Sequence, residues 1–293
     1  MHSNTGNYFQ ETTFSQTRNQ RAMKVQATVR PVEILQRYMA TLHAAILSCR
    51  RRPDKRHVHR TRTTTRRIEA QMILLDMLDA RSSRNRSGPK AARLLKKIRR
   101  AAGRVRDFDV LCDLIAGHAP SKAQAEGEKL SRVLQQQRIE AAEELMRTLD
   151  KLHAKLTRAL GALLAERERA EPIVLGISGL TALTENWFAQ NAPAPDDDPD
   201  RLHAIRKKAK IARYMAENAP KPARPARSLA RVFEEVQALG GHWHDWLVLA
   251  EIARSHMGES SPLVKSFARL RDEAYVSYRK KLSGLQIGNT RAA

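Results

Sequence analysis

The sequence predicts an all-α protein composed of two four-helix bundle halves. Helical periodicity runs through nearly the whole chain of 293 residues, and strand signals are almost absent. A histidine followed by two cations at spacing i, i+3, i+7 occurs twice, starting at residues 59 and 203. The first ladder consists of His59, Arg62 and Arg66, and the second ladder consists of His203, Arg206 and Lys210. Because the repeat lies close to half the chain length away, it predicts two related halves.

The first predicted half spans residues 31–171 and contains four helices. Pro31 suits a first helical turn, where a backbone N–H has no partner in any case. A stretch rich in Ser, Asn and Gly, residues 82–89, ends the second helix, and Pro120 ends the third. Ser121 is the predicted N-cap of the fourth helix. The predicted helices are 31–52, 54–81, 90–118 and 121–169.

The second predicted half spans residues 172–283 and repeats the four-helix pattern. A loop rich in Pro and Asp, residues 192–199, precedes the helix that carries the second ladder. Pro220, Pro222 and Pro225 form a rigid connection to the last two helices. The predicted helices are 173–190, 200–218, 226–256 and 262–282.

Both ends of the chain are predicted to be tails. Residues 1–30 are basic but lack the continuous apolar segment of a secretory signal, so we expect a disordered N-terminal tail. An organelle presequence is the alternative interpretation of this segment. Residues 284–293 form the predicted C-terminal tail. No apolar run approaches the roughly 20 residues needed to span a bilayer, so no membrane span is expected.

The charge of the chain indicates a polyanionic partner. Fifty-three Lys and Arg residues oppose 31 Asp and Glu residues, which leaves a net charge of +22. Such an excess causes self-repulsion unless an anion offsets it. Nucleic acid, an acidic membrane surface and a phosphate polymer are the candidate classes. Only two cysteines are present, Cys49 and Cys112, which favours a reducing compartment and a cytoplasmic location.

The ladders are placed to line a groove between helices. Each lies one residue, or about 100°, around the helix from an apolar stripe. Val58, Thr61 and Ile68 belong to the first stripe, and Leu202 and Ile205 to the second. The alternative is a solvated face of an amphipathic helix, with arginine stems covering apolar rims.

Arginine suits phosphate because its planar fork donates two parallel hydrogen bonds and keeps its charge at any relevant pH. A histidine beside several arginines should be neutral, and a bound phosphate should favour its cation again. We therefore expect anion binding to take up protons near neutral pH.

A second repeated motif places an acid within the basic regions. Arg106 and Asp107 are followed after two residues by Val-Leu, and His244 and Asp245 are followed by the same pair. In each half this motif comes one helix after the ladder. We expect the acid to orient an Arg or His through a salt bridge. A general base or a metal ligand is the alternative role.

Four segments resemble the CHAD domain, a conserved histidine α-helical domain, and they occur in the family's order. They are VHRTRTTTRR at 58–67, RVRDFDVL at 104–111, LHAIRKKAKIARY at 202–214 and GHWHDWLVL at 241–249. The resemblance covers about residues 31–283. It implies two four-helix subdomains related by a pseudo-twofold axis. It also implies a central basic cavity that binds inorganic polyphosphate, often with targeting to polyphosphate granules.

Carried over by position, the resemblance implies a set of anion ligands from both halves. The first half would contribute His59, Arg62, Arg66 and Arg67, and the second His203, Arg206, Lys207, Lys210 and Arg213. Arg100, Arg104 and Arg106 would add to the cavity wall. The chain departs from the family pattern at Glu69, which should trim the basic surface, and at Gly240, which should alter only local packing.

The sequence therefore predicts a noncatalytic polyphosphate-binding protein without a metal or cofactor. Sequence-independent nucleic-acid binding is the first alternative, although aromatic platforms for base stacking are scarce. A phosphohydrolase is the second alternative, because the His244 and Asp245 pair is similar to part of the HD phosphohydrolase motif. The further metal ligands of that motif are not evident. His57 with His59, or His242 with His244, could bind a metal, but i, i+2 spacing separates them around a helix.

Overall fold

The structure is a computed structural model and describes residues 28–79 and 87–285. Within these ranges it contains eight α-helices, a 3-10 turn at Ser121–Ala123 and two short strands. The helices of the first half are α1 (Pro31–Arg51), α2 (Lys55–Leu78), α3 (Gly88–His118) and α4 (Gln124–Glu168). Those of the second half are α5 (Ile177–Asn191), α6 (Pro199–Ala216), α7 (Arg224–Met257) and α8 (Pro262–Ser283). The predicted all-α class is confirmed.

In the first half the four helices form a closed ring of packed neighbours. Each helix contacts the next along the chain, and α1 also packs against α4. The apolar stripes of these helices supply one core, in which Leu35, Ile98 and Leu145 are inaccessible to solvent. Burial of such side chains contributes roughly 1.5–3 kcal/mol each.

In the second half α7 is the central helix. It packs against α5, α6 and α8, and α5 also packs against α6. Phe233, Trp246 and Phe267 are fully buried here. This core continues into the first half, since Leu74 of α2 and Ile115 of α3 belong to the same apolar cluster. The two halves therefore share part of their core.

Equivalent helices of the two halves meet at their boundary. The ladder helices α2 and α6 pack against each other, and so do α3 and α7, which carry the repeated Asp motif. A series of hydrogen bonds, donated by the side chains of a phenol and two amides, crosses the same boundary. Tyr38 donates a hydrogen bond to Asn218 at 3.1 Å, Asn218 donates to Gln71 at 2.6 Å, and Gln71 donates to the carbonyl of Pro31 at 2.7 Å. The pseudo-twofold relation itself stays a prediction.

Two short antiparallel strands correct the predicted element bounds. Strand β1 (Thr28–Val29) pairs with β2 (Leu175–Gly176), and Val29 is buried. The predicted disordered tail at 1–30 is therefore too long by its last residues, while residues 1–27 lie outside the described part. The predicted helix at 173–190 begins later, at Ile177, because the residues before it pair with β1.

The helix ends follow local capping chemistry. Asp54 caps α2 by accepting from the N–H of His57 at 2.8 Å, and Asp198 caps α6 by accepting from Asp200 at 2.9 Å. Ser121 does not act as the predicted side-chain cap of α4, because it lies in a 3-10 turn before that helix. The predicted loop at 82–89 and the C-terminal tail lie mostly outside the described residues, which omit 80–86 and 286–293. No helix in the described ranges is long and apolar enough to cross a membrane.

Candidate anion-binding site

A cavity of about 520 Å³ opens where the two halves meet, and we call it the central cavity. Its walls come from α2, α3, α6 and α7, the helices that carry the four repeated motifs. Its cationic lining consists of Arg62, Arg66, Arg106, Arg206, Lys207 and Lys210. Its other titratable lining residues are His59, His203, His242, His244, Asp107 and Asp245. Both ladders therefore face one cavity.

The apolar stripes explain why both ladders face the cavity. Val58 and Ile68 of α2 are fully buried, and so are Leu202 and Ala209 of α6. Since the ladder positions lie beside these stripes, burying the stripes turns the ladders toward the junction of the four helices. The alternative of a solvated helix face does not hold for Arg62, Arg66 and Arg206, because the Nε atom of each is inaccessible to solvent and all three line the cavity.

Several cavity cations have no acid partner among the described residues. The Nε atoms of Arg62, Arg66 and Arg206 are inaccessible to solvent and make no hydrogen bond within this part of the chain. Within the described residues, no ion pair within 4.0 Å is formed by Arg62, Arg106, Lys207 or Lys210. The carboxylate of Glu69 binds Arg99 at 2.8 Å and lies 3.9 Å from Arg66. Unpaired buried donors are costly, so this arrangement favours an anionic ligand.

Burial and mutual repulsion lower the pKa values of several cationic groups that line the central cavity. Burial lowers the pKa of Lys210 well below its ordinary value, and Arg66 and Arg62 lower it further. Burial, followed by the charges of Arg99 and Arg62, lowers the pKa of Arg66 to about 10. The pKa of Arg206 and that of Lys207 are also lowered, in both cases chiefly by burial. An anion in the cavity would relieve this mutual repulsion.

The two ladder histidines are held in their neutral form. Burial and then the charges of Arg206 and His244 lower the pKa of His203 to about 3. Burial also lowers the pKa of His59, with further contributions from Arg106 and Arg62. His203 stacks on His244 at 4.6 Å between ring centroids and lies 3.3 Å from a guanidinium nitrogen of Arg206. The predicted effect of neighbouring arginines on these histidines is thus confirmed in direction.

The repeated acids occupy the same cavity, and among the described residues only Asp245 has a partner of the predicted kind. Desolvation raises the pKa of Asp107, Arg62 opposes that shift, and Asp245 adds to it. Among the described residues Asp107 forms no ion pair within 4.0 Å, so the expected salt bridge to an Arg or His is absent there. Asp245 lies 3.6 Å from Nδ1 of His244. The two carboxylates share the cavity wall with the arginines without pairing directly to them.

Two glycines that the sequence interpretation did not identify lie against the ladder arginines. A Cβ at Gly103 would stand 3.7 Å from Nε of Arg62, and one at Gly241 would stand 3.9 Å from an Nη of Arg206. Each glycine comes four residues before the repeated Asp, at Asp107 and Asp245. The repeated pattern of a glycine, three other residues and an aspartate could therefore have identified these two glycines from the sequence. A larger side chain at either position would extend toward the cavity arginines.

Two predicted ligands, Arg67 and Arg213, lie outside the central cavity. Both bind Glu217, with Arg67 at 3.3 Å and Arg213 at 2.7 Å, and both guanidinium groups lie within 6 Å of the Tyr214 ring. Arg213 also binds Glu234 at 2.9 Å. These arginines join α2, α6 and α7 beside the cavity.

The predicted wall residues of α3 divide between two places. Arg106 lines the central cavity. Arg100 and Arg104 instead line a cleft between α3 and α4, on the outer side of the first half. The i, i+4 spacing of Arg100 and Arg104 places both on one face of α3, and the packing of α3 turns that face away from the cavity.

A side cleft of about 760 Å³ adjoins the central cavity and shares His59 and Arg106 with it. Its further cations lie on α2 and are Lys55, Arg56, Arg60 and Arg67. Lys55 binds Asp113 at 2.5 Å, the only acid lining this cleft among the described residues. The basic lining therefore extends from the central cavity toward the N-terminal end of α2.

A family model for the CHAD domain matches residues 33–254. The chain belongs to the CHAD domain family. The matched residues include both ladders and both Asp motifs, so the four helices that form the central cavity carry the match.

Two solved structures share the fold of this CHAD chain. The crystal structure of the CHAD domain from the plant Ricinus communis superposes with a TM-score of 0.64 at 17% identity, covering 89% of this chain and 94% of that one. PptA from Streptomyces chartreusis superposes with a TM-score of 0.52 at 16% identity, covering 87% and 99%. At these identities the matches show the fold alone. No curated protein matches the chain.

Proposed function

We propose that this CHAD chain is a noncatalytic binding protein for inorganic polyphosphate and that the central cavity is its binding site. The observation that carries the proposal is the convergence of both ladders on one cavity in which, among the described residues, every lining Arg and Lys except Arg66 lacks an acid partner. Polyphosphate binding is the known role of the family. Arginine forks and lysine ammonium groups are the side chains that bind phosphate oxygens best.

The side cleft supports a polymer as the ligand. A free phosphate would occupy only part of the central cavity, whereas a longer chain can continue past His59 and Arg106 into the side cleft. There Arg56 and Arg60 are exposed and unpaired within the described residues. Each further contact releases counterions and adds to the affinity.

The proposal includes no turnover, metal or cofactor. The arginines and lysines act as electrostatic ligands, and the neutral histidines become additional cations as the anion binds. We expect a cytoplasmic protein that binding of this kind would recruit to polyphosphate granules.

An affinity series with the purified chain tests the proposal. Phosphate, triphosphate, ATP, long-chain polyphosphate and a DNA duplex are titrated at one fixed salt concentration. We expect affinity to rise steeply from phosphate to triphosphate to long-chain polyphosphate, because the number of contacts rises. Equal affinity for ATP and polyphosphate would contradict the proposal. Release of phosphate from polyphosphate in the presence of Mg²⁺ would show that the protein is an enzyme.

Polyphosphate affinity should increase as the pH falls from 8 to 6. In the free protein the pKa of His203 is lowered to about 3 and that of His59 is also lowered, which disfavours the cationic form of both rings. A bound polyanion raises these pKa values, so the complex takes up protons as it forms. Lower pH therefore increases the affinity, by up to about tenfold per pH unit for each proton taken up. The measurement is the dissociation constant at each pH in the parent and in His59→Asn with His203→Asn. A parent whose affinity does not change with pH would contradict proton uptake.

The lowered pKa of His203 should make the free protein less stable in acid. The folded-state pKa of His203, about 3, lies below its ordinary value of 6.5. The unfolded chain therefore binds the proton first, and the contribution of the neutral ring to stability is lost as the pH falls from 6.5 toward 3. Saturating polyphosphate should reduce this loss, which thermal unfolding across that range would show.

A further inference from the structure

A second group of unpaired cations lies on the opposite side of the first half, on α3 and α4. We call it the outer basic face. Its members are Arg93, Lys97, Arg100 and Arg104 on α3 and Lys151, Lys155 and Arg158 on α4. All seven are exposed, and within each helix they follow steps of three or four residues. Each set therefore forms one row along its helix.

The two rows run side by side. Helices α3 and α4 pack along their lengths, and a cleft of about 380 Å³ between them is lined by Lys97, Arg100, Arg104 and Lys151. Lys97 and Lys151 line the same cleft, at the same level of the two helices. Because the helices are antiparallel, one turn toward the N-terminus of α3 corresponds to one turn toward the C-terminus of α4, which brings Arg93 toward Lys155. At 1.5 Å per residue the α3 row is roughly 16 Å long.

The charges of this face are not balanced by neighbouring acids. Within the described residues none of its seven cations lies within 4.0 Å of a carboxylate. Glu144, the acid lining the cleft, binds Arg147 at 3.2 Å. Many exposed cations of the second half do have acid partners, such as Arg269 with Glu273 at 2.5 Å. The outer basic face therefore combines unpaired charge with two aligned rows of cations.

We propose that the outer basic face binds double-stranded nucleic acid through its phosphate backbones, without sequence preference. Packed helices lie about 8–10 Å apart, so the two rows have a separation comparable with DNA groove widths of about 6–12 Å. A duplex can thus present phosphates of both strands to the two rows. A single linear phosphate polymer has one line of phosphates, so it matches two parallel rows less well than a duplex does.

The shape of the ligand also separates this face from the central cavity. A rigid duplex is too wide to enter a cavity of about 520 Å³, but it can lie on an open helical surface. Among the residues that the structure describes, no aromatic side chain lines the cleft within the outer face, so base stacking has no platform there. The interaction is therefore electrostatic and depends on salt. It does not rest on the polyphosphate proposal.

The test compares two triple variants that remove the same charge. The outer variant is Lys97→Glu, Lys151→Glu and Lys155→Glu, and the control variant is Lys221→Glu, Lys265→Glu and Lys280→Glu. All six lysines are exposed and lack an ion pair within the described residues. A random-sequence duplex of about 20 base pairs and long-chain polyphosphate are the probes. Thermal melts confirm that both variants fold.

We expect the outer variant to bind the duplex at least about tenfold more weakly than the control variant at low salt. Its polyphosphate affinity should equal that of the control. Replacing the same three lysines with Gln should reduce the salt dependence of duplex binding, with a slope change of about 0.9 for each lost phosphate contact.

Three results would overturn the inference. Equal loss of duplex binding in the outer and control variants would show that net charge alone is responsible. A loss of polyphosphate affinity in the outer variant beyond that of the control would make this face part of the polyphosphate site. Loss of duplex binding on reversing Arg62 and Arg206 would place nucleic acid at the central cavity. Failure of the polyphosphate proposal would instead appear as cavity variants that retain polyphosphate.

Discussion

Replacing Arg62 and Arg206 with Glu should lower the affinity for long-chain polyphosphate by at least about a hundredfold. One arginine comes from each half, and the Nε of each is buried in the central cavity without a hydrogen-bond partner in the described part of the chain. A hydrogen bond to a charged group contributes about 1.5–3 kcal/mol, and each 1.4 kcal/mol corresponds to about tenfold in affinity. The introduced carboxylates add repulsion to that loss. Isothermal titration at moderate salt measures the effect.

The control for this variant has the same charge change outside the cavity. Lys221→Glu with Lys265→Glu removes as much positive charge from exposed positions. Since exposed charges are screened at moderate salt, we expect this control to lose much less affinity. An equal loss in both variants would show that the net charge of the chain, and not the ladders, attracts the polymer.

Gly240→Ala should lower the free energy of unfolding by about 1–3 kcal/mol, the usual effect of overpacking a core. A Cβ at this position would stand 2.6 Å from Cζ of Tyr278, whose side chain is fully buried. The hydroxyl of Tyr278 donates a hydrogen bond to the carbonyl of Leu202 at 3.1 Å, directly before His203. A shift of this ring would also disturb the start of the second ladder. Chemical denaturation measures the change.

The neighbouring glycine supplies a matched control. Among the described residues, a Cβ at Gly241 would meet only Arg206, at an ordinary contact distance of 3.9 Å. Gly241→Ala should therefore keep or raise stability, by up to about 1 kcal/mol, because alanine favours the helix. If the two substitutions had equal effects, close approach to Tyr278 would not be the reason for glycine at position 240.

The position of the ladders could be predicted from spacing, because the helical period fixes which side chains share a face. The buried Val58 and Leu202 confirm the stripe beside each ladder. The spacing did not show which helix would cover which face. Arg67 and Arg213 were assigned with the ladders, yet Glu217 binds both of them outside the cavity. That contact depends on the packing of α2 against α6, which periodicity does not encode.

The same limit applies to α3 and to the acids of the cavity. Arg100 and Arg106 were both predicted to line the wall, but only tertiary packing decides that Arg106 faces inward and Arg100 faces α4. The salt bridge predicted for Asp107 also required a distance between helices. By contrast, Gly103 and Gly241 stand at equal spacing before Asp107 and Asp245, and this repeat was visible in the sequence.

The pairing of the two short strands could not be predicted from the periodicity of the sequence. Strand β1 has two residues, too few to show alternation, and its partner β2 lies in the connection between the halves. Both strands depend on a contact between distant parts of the chain. The shared core has the same origin, since Leu74 and Ile115 join the apolar cluster of the second half through packing.

The central claim is that ladders from both halves hold one polyphosphate chain in the central cavity. A crystal structure of the protein with a short polyphosphate tests it most directly. We predict phosphate density between α2 and α6, with oxygens at hydrogen-bonding distance, about 2.7–3.2 Å, from Nε of Arg62 and Nε of Arg206. Density confined to the exterior, for example to the outer basic face, with protein side chains filling the central cavity, would contradict the claim.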